Sequence, residues 1–439
     1  MQLKDNYKIL PFILIFFSLF SFFLGFYLDE NSAGGGGYLG DWAIAWPNLQ
    51  LILNNDTLTA INHEDYYSNR TPLLYMLHKV FNPFAASEIG YRRSVFLISL
   101  TVPALFYFCL KQKFKKEDNL LLLLAASTIF LSPYYRTSSF WGLEENYGLI
   151  CLFCSFLFLN YFLKNKNESS YIIYVQLFFS IFFSSLCVYF DLKLLIIPII
   201  CFLKIITSEK KIKLKVFSIF SYFLLSLPYI YLIILWGSLF APKVEEARNF
   251  GEQIYIGHVG YAATIIAFYL LPFLLFKGKD LISLIKKFFL KKENFYLILL
   301  FVIYIFYLLI SSIFFDHNSL DVETSLGKGF AHKLSFILFK NNTISREIFI
   351  YFLFLISWII ILIFIYKNIK DSLILLYFFL ISVVTFPILQ EYFDPLIFVM
   401  IFTFFNSKLF ISYKNTIILF FYLSIFLAIS NIYYYNLLN

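Results

Sequence analysis

The chain has 439 residues, of which 60% are hydrophobic and only 14% are charged, and its mean hydropathy is +0.77. A soluble domain has roughly a quarter of its residues charged, so this composition excludes a soluble globule and predicts a polytopic membrane protein. The formal net charge of +8 does not indicate a nucleic-acid partner, because the excess lysines lie in short loops between apolar runs.

The apolar runs predict a single all-α integral-membrane domain over residues 1–439 with about 13 transmembrane helices, and 11–13 helices are compatible with the pattern. The first run is longer than the apolar region of a signal peptide, so we expect it to be retained as a helix. The spans are expected at 9–28, 94–110, 119–134, 146–163, 171–190, 192–208, 216–240, 257–276, 294–315, 348–366, 372–389, 395–407 and 415–434.

Charged residues alternate between the two sides of these spans. Most lysines fall in every second loop, whereas all six arginines and all five histidines fall in the loops between. Lysine-rich loops are cytoplasmic by the positive-inside rule. The pattern therefore predicts a protein of the inner (plasma) membrane, with its N-terminus in the cytoplasm, its C-terminus outside and its functional residues on the outer face.

Two outer loops are large. The first, residues 29–93, is too long for a simple connector and carries apolar residues at near-helical spacing in two stretches, 42–53 and 73–81. We expect two amphipathic helices there, lying along the membrane surface. The second large outer loop is expected at 316–347.

The first outer loop opens with an acidic pair, Asp29 and Glu30, followed by a glycine run that ends at Asp41. Glycine-rich backbone folds tightly, so it can return Asp41 toward the membrane. Later in this loop stand His63 and Tyr66, then the segment 70–75, Arg-Thr-Pro-Leu-Leu-Tyr. The loop ends with the segment 87–93, Ser-Glu-Ile-Gly-Tyr-Arg-Arg.

The next outer loop brings Arg136 and a second acidic pair, Glu144 and Glu145, to the same face. The structural alternative is that these glutamates only mark the start of a helix, where acidic residues are favoured. Further on, Asp191 lies in a short outer turn, where pairing with Lys193 is the simplest expectation.

The first 150 residues resemble the GT-C glycosyltransferases, of the mannosyltransferase and aminoarabinose-transferase kind. The similarity rests on the acidic pair after the first span, on segment 70–75, on the arginines that open the second span, and on the acidic pair before the fourth. It implies an enzyme that transfers a sugar from a polyprenyl-phosphate donor to a lipid, glycan or protein acceptor, with inversion at the sugar carbon. The glycine-rich insert leaves open whether Asp29 or Asp41 is the reactive aspartate.

The chemistry of this reaction gives each residue type a role. A carboxylate can accept the proton of the acceptor hydroxyl, which makes Asp29, Asp41, Glu144 and Glu145 the catalytic candidates. Guanidinium forks hold phosphate bidentately. The residues assigned to substrate binding are Glu30, His63, Tyr66, Arg70, Arg92, Arg93 and Arg136. The sequence leaves open whether a divalent metal ion, Mg²⁺ or Mn²⁺, takes part, because it contains no tight ligand motif.

Two other functions remain open. A transporter or flippase for lipid-linked sugars would carry charged residues within its spans, and the predicted spans are nearly free of them. An O-antigen-type polymerase or ligase would carry arginine-rich late loops, where this chain has only Arg248 and Arg346.

Overall fold

The structure is a computed structural model, and the residues that it describes form helices joined by turns, with no β-strand among them. The described residues are 3–33, 37–68, 70–164, 170–209, 211–241, 243–244, 254–277, 281–314, 320, 322, 327–366 and 368–438. Most of the second large outer loop up to residue 326, including Asp316, His317, Asp321 and Glu323, lies outside these ranges, as does Arg248.

The described chain forms two compact units, residues 1–248 with 420–439, and residues 249–419. The helices that begin in the first unit are α1 Leu3–Tyr27, α2 Ala43–Asn54, α3 Thr57–Ile61, α4 Leu73–Phe81, α5 Glu88–Ser99, α6 Thr101–Lys113, α7 Asn119–Ser127, α8 Pro133–Phe140, α9 Glu145–Lys164, α10 Ser170–Phe190, α11 Ile196–Ser208 and α12 Ile212–Trp236. Those that begin in the second are α13 His258–Leu270, α14 Leu281–Phe289, α15 Lys292–Phe314, α16 Gly329–Phe339, α17 Thr343–Ile365, α18 Ile369–Val384, α19 Leu396–Phe402 and α20 Tyr413–Leu438.

Within the described chain, eight helical stretches are long and apolar enough to cross a membrane, or nine if one bent pair counts as a single span. The protein is therefore an all-α polytopic membrane protein. The eight stretches are Ile9–Tyr27, Glu88–Lys113, Glu145–Lys164, Tyr171–Phe190, Ile212–Trp236, Lys292–Ser311, Thr343–Ile365 and Tyr413–Tyr435. The bent pair joins Asn119–Leu131 to Pro133–Phe140 at 69°.

The thirteen predicted spans are not all present as long helices. The stretches predicted at 192–208, 257–276, 372–389 and 395–407 contain α11, α13, α18 and α19, which have 13, 13, 16 and 7 residues. At 1.5 Å per residue, even the longest of these covers about 24 Å, less than the roughly 30 Å of a bilayer core. Every residue of α19 is buried, so its apolar sequence reflects packing inside the protein.

Residues 29–93 contain α2 and α4 where the apolar spacing predicted helices, and α3 lies between them. The buried face of α4 is formed by Leu74, Tyr75 and His78, whereas Val80 and Phe81 are exposed. The predicted apolar stripe of this helix is thus only partly used for packing. The His78 side chain turns inward because its Nε2 lies 2.8 Å from the hydroxyl of Tyr147 on α9.

Each unit contains helices that pack along one another. In the first unit α9 packs along α10 and α6. In the second, α13 packs along α17, where a Cβ atom at Gly260 would lie 2.1 Å from the Phe354 ring. A side chain at Gly260 would force these two helices apart.

Loops that the lysine pattern assigns to one side of the membrane contact one another. The Asp371 carboxylate, at the start of α18, accepts hydrogen bonds from the backbone N–H groups of Asn406 and Ser407, at 2.7 and 2.9 Å, and from the Asn368 side chain at 2.7 Å. Asn368 and Asp371 lie in one predicted cytoplasmic loop, and Asn406 and Ser407 lie at the end of the predicted span 395–407, where the next such loop begins. The described contacts of the second unit are therefore compatible with the predicted alternation of loops.

Replacing Asp371 by Ala should lower the melting temperature of the purified protein. Asp371 is fully buried, and the buried N–H of Ser407 would lose its acceptor, which costs about 1–3 kcal/mol. Thermal unfolding followed by tryptophan fluorescence measures the effect, with Lys370→Ala, an exposed neighbour, as the matched control. Equal melting temperatures for the two variants would contradict a structural role for this carboxylate.

Candidate active site

Arg70 joins the first outer loop to the start of α9. Its Nη1 donates to Oε1 of Glu144 at 2.8 Å, and its Nη2 donates to Oε1 of Glu145. The two glutamate side chains are 5% and 3% exposed. Burial of two neighbouring carboxylates is strongly unfavourable unless a counter-ion accompanies them, so the Arg70 fork is the contact that makes this arrangement possible.

Polar contacts on both sides of Arg70 fix its position. Before it, the Asn48 side chain on α2 donates to the Tyr67 carbonyl at 2.6 Å and accepts from the Tyr67 N–H at 3.0 Å. After it, the Thr71 hydroxyl donates to the Tyr189 carbonyl on α10 at 2.5 Å. The segment that carries Arg70 is thereby attached to two helices of the first unit.

The two glutamates are positioned by a tight turn between α8 and α9. Gly142 has φ +67°, and a Cβ atom there would lie 2.5 Å from the Tyr91 ring, so a larger residue does not fit. The Tyr91 hydroxyl donates to the Gly142 carbonyl at 2.7 Å. Glu144 and Glu145 then begin α9, where acidic side chains also interact favourably with the helix dipole.

Tyr134 links these glutamates to Asp41. Its hydroxyl lies 2.9 Å from Oε1 of Glu145 and 3.5 Å from Oδ2 of Asp41. Because one hydroxyl contacts both groups, the two carboxylates are well within the about 10 Å that a shared substrate requires. Ser138 donates to the other oxygen of Glu145 at 2.5 Å. The helix that carries Tyr134 and Ser138 starts at Pro133, with Ser132 as its N-cap.

Asp191 and Lys193 extend this cluster. Lys193 Nζ lies 2.9 Å from Oδ2 of Asp191, as expected from the sequence, and 4.7 Å from the centre of the Tyr134 ring. Burial would lower the pKa of Lys193, but the carboxylates of Asp191 and Glu145 outweigh it and raise that pKa. The sequence favours this pairing and leaves open whether Asp191 reaches the site. It gives no signal for the involvement of Tyr134.

Glu144 differs chemically from Glu145. Its Oε2 is buried without a hydrogen-bond partner, whereas both oxygens of Glu145 accept bonds. Burial raises the pKa of Glu144 to about 7, and the Glu145 and Asp41 carboxylates add to this rise while Arg70 opposes it. A carboxyl group with such a pKa exchanges its proton near neutral pH.

Asp29 and Glu30 form a second set of ion pairs. Asp29 accepts from Nη2 of Arg92 at 2.5 Å, and the Arg92 guanidinium also lies 4.1 Å from the Trp141 ring. Glu30 accepts two bonds from Arg136, through Nε at 2.8 Å and through Nη2. Arg136 is 1% exposed, and its remaining donors reach the carbonyls of Phe130 and Ser21.

The remaining predicted site residues are spread out. Tyr66 is buried, and burial raises the pKa of its hydroxyl. The Glu144 charge adds to this rise in pKa, so Tyr66 lies near the cluster. His63 is exposed and contacts Asp65 of its own turn. Arg93 is exposed and forms no ion pair with a described residue. The structure thus brings together Arg70, Asp41, Glu144, Glu145 and Tyr66, but gives His63 and Arg93 no described contact with them.

Comparison with protein families, curated proteins and solved structures gave no match. Among the described residues, no group of three or more His, Cys, Asp or Glu side chains has an arrangement that could hold a metal ion. The interpretation of the cluster therefore depends on its own geometry.

The stability of the protein should depend on the protonation of Glu144. A carboxyl group whose pKa rises on folding, here from 4.5 to about 7, stabilises the folded state fully below pH 4.5, and this stabilisation is lost as the pH rises through 7. We expect the melting temperature of the wild type to fall as the pH rises from about 4.5 to about 7. Glu144→Gln should remove that part of the pH dependence, and identical pH profiles for the two proteins would refute the assignment.

Proposed function

We propose that the protein is a GT-C-like glycosyltransferase that moves a sugar from a polyprenyl-phosphate donor to an acceptor on the outer face of the inner membrane. The observation that carries the proposal is the meeting of Asp41, Glu144, Glu145 and Arg70 around the Tyr134 hydroxyl. Three buried or half-buried carboxylates with one guanidinium supply both an acceptor for a proton and a cation for a phosphate.

Asp41 is the better candidate for the base. Asp29 is already the counter-ion of Arg92, whereas Asp41 shares the Tyr134 hydroxyl with Glu145. In the proposed reaction, Asp41 takes the proton of the acceptor hydroxyl as that oxygen attacks the sugar carbon. The bond from this carbon to the phosphate oxygen breaks on the opposite face, so the configuration inverts.

The arginines differ in what they can offer to the departing phosphate. All three nitrogens of Arg136 donate to protein oxygens, which makes Arg136 a structural residue. Nε of Arg70 and Nη1 of Arg92 donate to no acceptor within the described chain. We therefore assign phosphate contacts to Arg70 and Arg92, and the role of Arg93 stays a prediction.

One observation favours a transporter as the second candidate. The stretch 119–140 is bent by 69° at Ser132–Pro133, and broken helices line the substrate sites of many transporters. The charged cluster lies beside this break. A transporter would move a lipid-linked sugar across the membrane without breaking the bond between sugar and phosphate.

Asp41→Asn should reduce sugar transfer by about 10²–10⁴-fold, because the reaction would lose its base. The assay uses purified protein in vesicles with radiolabelled polyprenyl-phosphate sugars and a crude acceptor fraction. Glu64→Gln, a change at an exposed acid of the same loop, is the matched control and should retain wild-type turnover. If the wild type moves the donor across the vesicle membrane without transferring the sugar, the transporter is the correct function.

The proposed orientation has its own test. A cysteine at Glu64, exposed in the predicted outer loop, should react with a membrane-impermeant thiol reagent added to intact cells. A cysteine at Lys116, exposed in a predicted cytoplasmic loop, should react only after the cells are lysed. Of the native cysteines, Cys154 is half-buried and the other four are buried, so the unmodified protein gives the background. If the Lys116 variant reacts in intact cells and the Glu64 variant does not, the topology is the reverse of the predicted one.

A further inference from the structure

Arg346 is a buried arginine that has no carboxylate partner in the part of the chain that the structure describes. It lies in the second unit, in the first turn of α17, and is 3% exposed. The buried arginines of the first unit differ from it, since Arg92 contacts Asp29 and Arg136 contacts Glu30. A buried cation without a counter-ion is strongly unfavourable, so this position requires a physical explanation.

The described contacts of Arg346 leave some of its N–H donors without an acceptor. Its Nη2 lies 3.1 Å from Nε2 of His332, its Nε lies 3.4 Å from the Ser335 hydroxyl, and its Cζ lies 5.2 Å from the centre of the Phe336 ring. Nη1 donates to no described residue. His332 Nε2 is also 3.2 Å from the Val322 carbonyl, and a ring nitrogen either donates or accepts. This nitrogen can therefore accept a hydrogen bond from Arg346 or donate one to the Val322 carbonyl, but it cannot do both.

The position of Arg346 in α17 also disfavours a positive charge. The Arg346 N–H donates to the Asn342 carbonyl at 3.1 Å, which places the residue beside the positive end of the α17 dipole. A cation there is electrostatically unfavourable, whereas an anion interacts favourably with both the helix end and the guanidinium. Because α17 is one of the helices long enough to span the membrane, its first turn lies at the depth of lipid phosphates.

We infer that Arg346, with His332 and Ser335 orienting its guanidinium, forms a binding site for a phosphate-class anion in the second unit. The ligand is inorganic phosphate or the phosphate group of a lipid, because both present the oxygens that a guanidinium fork binds. Nη1 supplies the donors that no described residue uses, and the anion supplies a counter-charge that no described carboxylate provides. The inference does not rest on the proposed glycosyltransferase activity, since its residues and its test are separate.

The first experiment measures thermal unfolding of the purified protein as inorganic phosphate is added at constant ionic strength, with chloride as the balancing anion. A ligand that binds the folded state raises the melting temperature in a concentration-dependent manner. We expect this rise in the wild type and in Lys340→Gln, which removes an exposed cation just beyond α16. Arg346→Gln should show a smaller rise, because only the phosphate contacts proposed for Arg70 and Arg92 remain. Without phosphate, Arg346→Gln should melt at the same temperature as the wild type or higher, because it removes a buried charge that no described carboxylate balances.

A second arm identifies the source of the phosphate. An isoprenyl phosphate in mixed micelles is compared with the isoprenol of the same chain length. The rise in melting temperature is measured against the concentration of each ligand. If isoprenyl phosphate reaches half of the full rise at a much lower concentration than inorganic phosphate, the ligand is a lipid headgroup. If the two concentrations are equal, the ligand is free phosphate. Isoprenol should produce no shift.

The inference is overturned if phosphate has no effect on the wild type, or if Arg346→Gln responds to phosphate as the wild type does. It is also overturned if Arg346→Gln melts at a lower temperature without phosphate, which would show that Arg346 stabilises the fold by its protein contacts alone. Should Arg346→Gln fail to fold, Arg346→Lys keeps the charge and loses the fork. It should then need about tenfold more phosphate for half-saturation, and an unchanged value contradicts the site.

Discussion

The proposed site depends on the ion pairs between Arg70 and the two glutamates at the start of α9. Two adjacent carboxylates that are almost fully buried would be strongly destabilising without a counter-ion, and removing one partner of such a group typically costs about 3–5 kcal/mol. The outer-loop segment that carries Arg70 must therefore stay against α9. Its attachments to α2 and α10, through Asn48 and Thr71, then hold these helices around the same cluster.

Pairing also divides the acidic residues of the first outer loop into two groups. Asp29 and Glu30 follow the first span directly, and each neutralises an arginine on another helix. Asp41 comes after the glycine-rich segment, in a π-helical turn at Tyr38–Trp42, and its carboxylate lies beside Tyr134. The insert between the two acidic positions thus delivers a carboxylate to the Tyr134 hydroxyl, beside Glu145.

Composition predicted the helical membrane fold, because that fold follows from hydropathy. The charge pattern placed Asp41, Arg70, Glu144 and Glu145 in loops predicted to share one side, and these residues lie close together in the first unit. Composition and charge did not predict which acid contacts which arginine, since that depends on the rotation of each helix about its axis. Hydropathy also counted α19 as part of a span, because it cannot distinguish an apolar helix in lipid from one buried in protein. The Tyr134 contacts are tertiary, so no local pattern indicates them.

In the proposed reaction, a phosphate held by Nε of Arg70 shares that guanidinium with Glu144 and Glu145, and protonation of Glu144 relieves the resulting repulsion. A phosphate that approaches Arg70 competes with two carboxylates for the same guanidinium, and like charges in a buried site repel one another strongly. A proton on Glu144 removes one of these negative charges and weakens its hold on Nη1 of Arg70. Phosphate binding at Arg70 and protonation of Glu144 therefore favour each other, and a pKa of about 7 lets this proton enter and leave near neutral pH. In this arrangement Glu145, fixed by Tyr134 and Ser138, keeps Arg70 in place while Glu144 changes its charge.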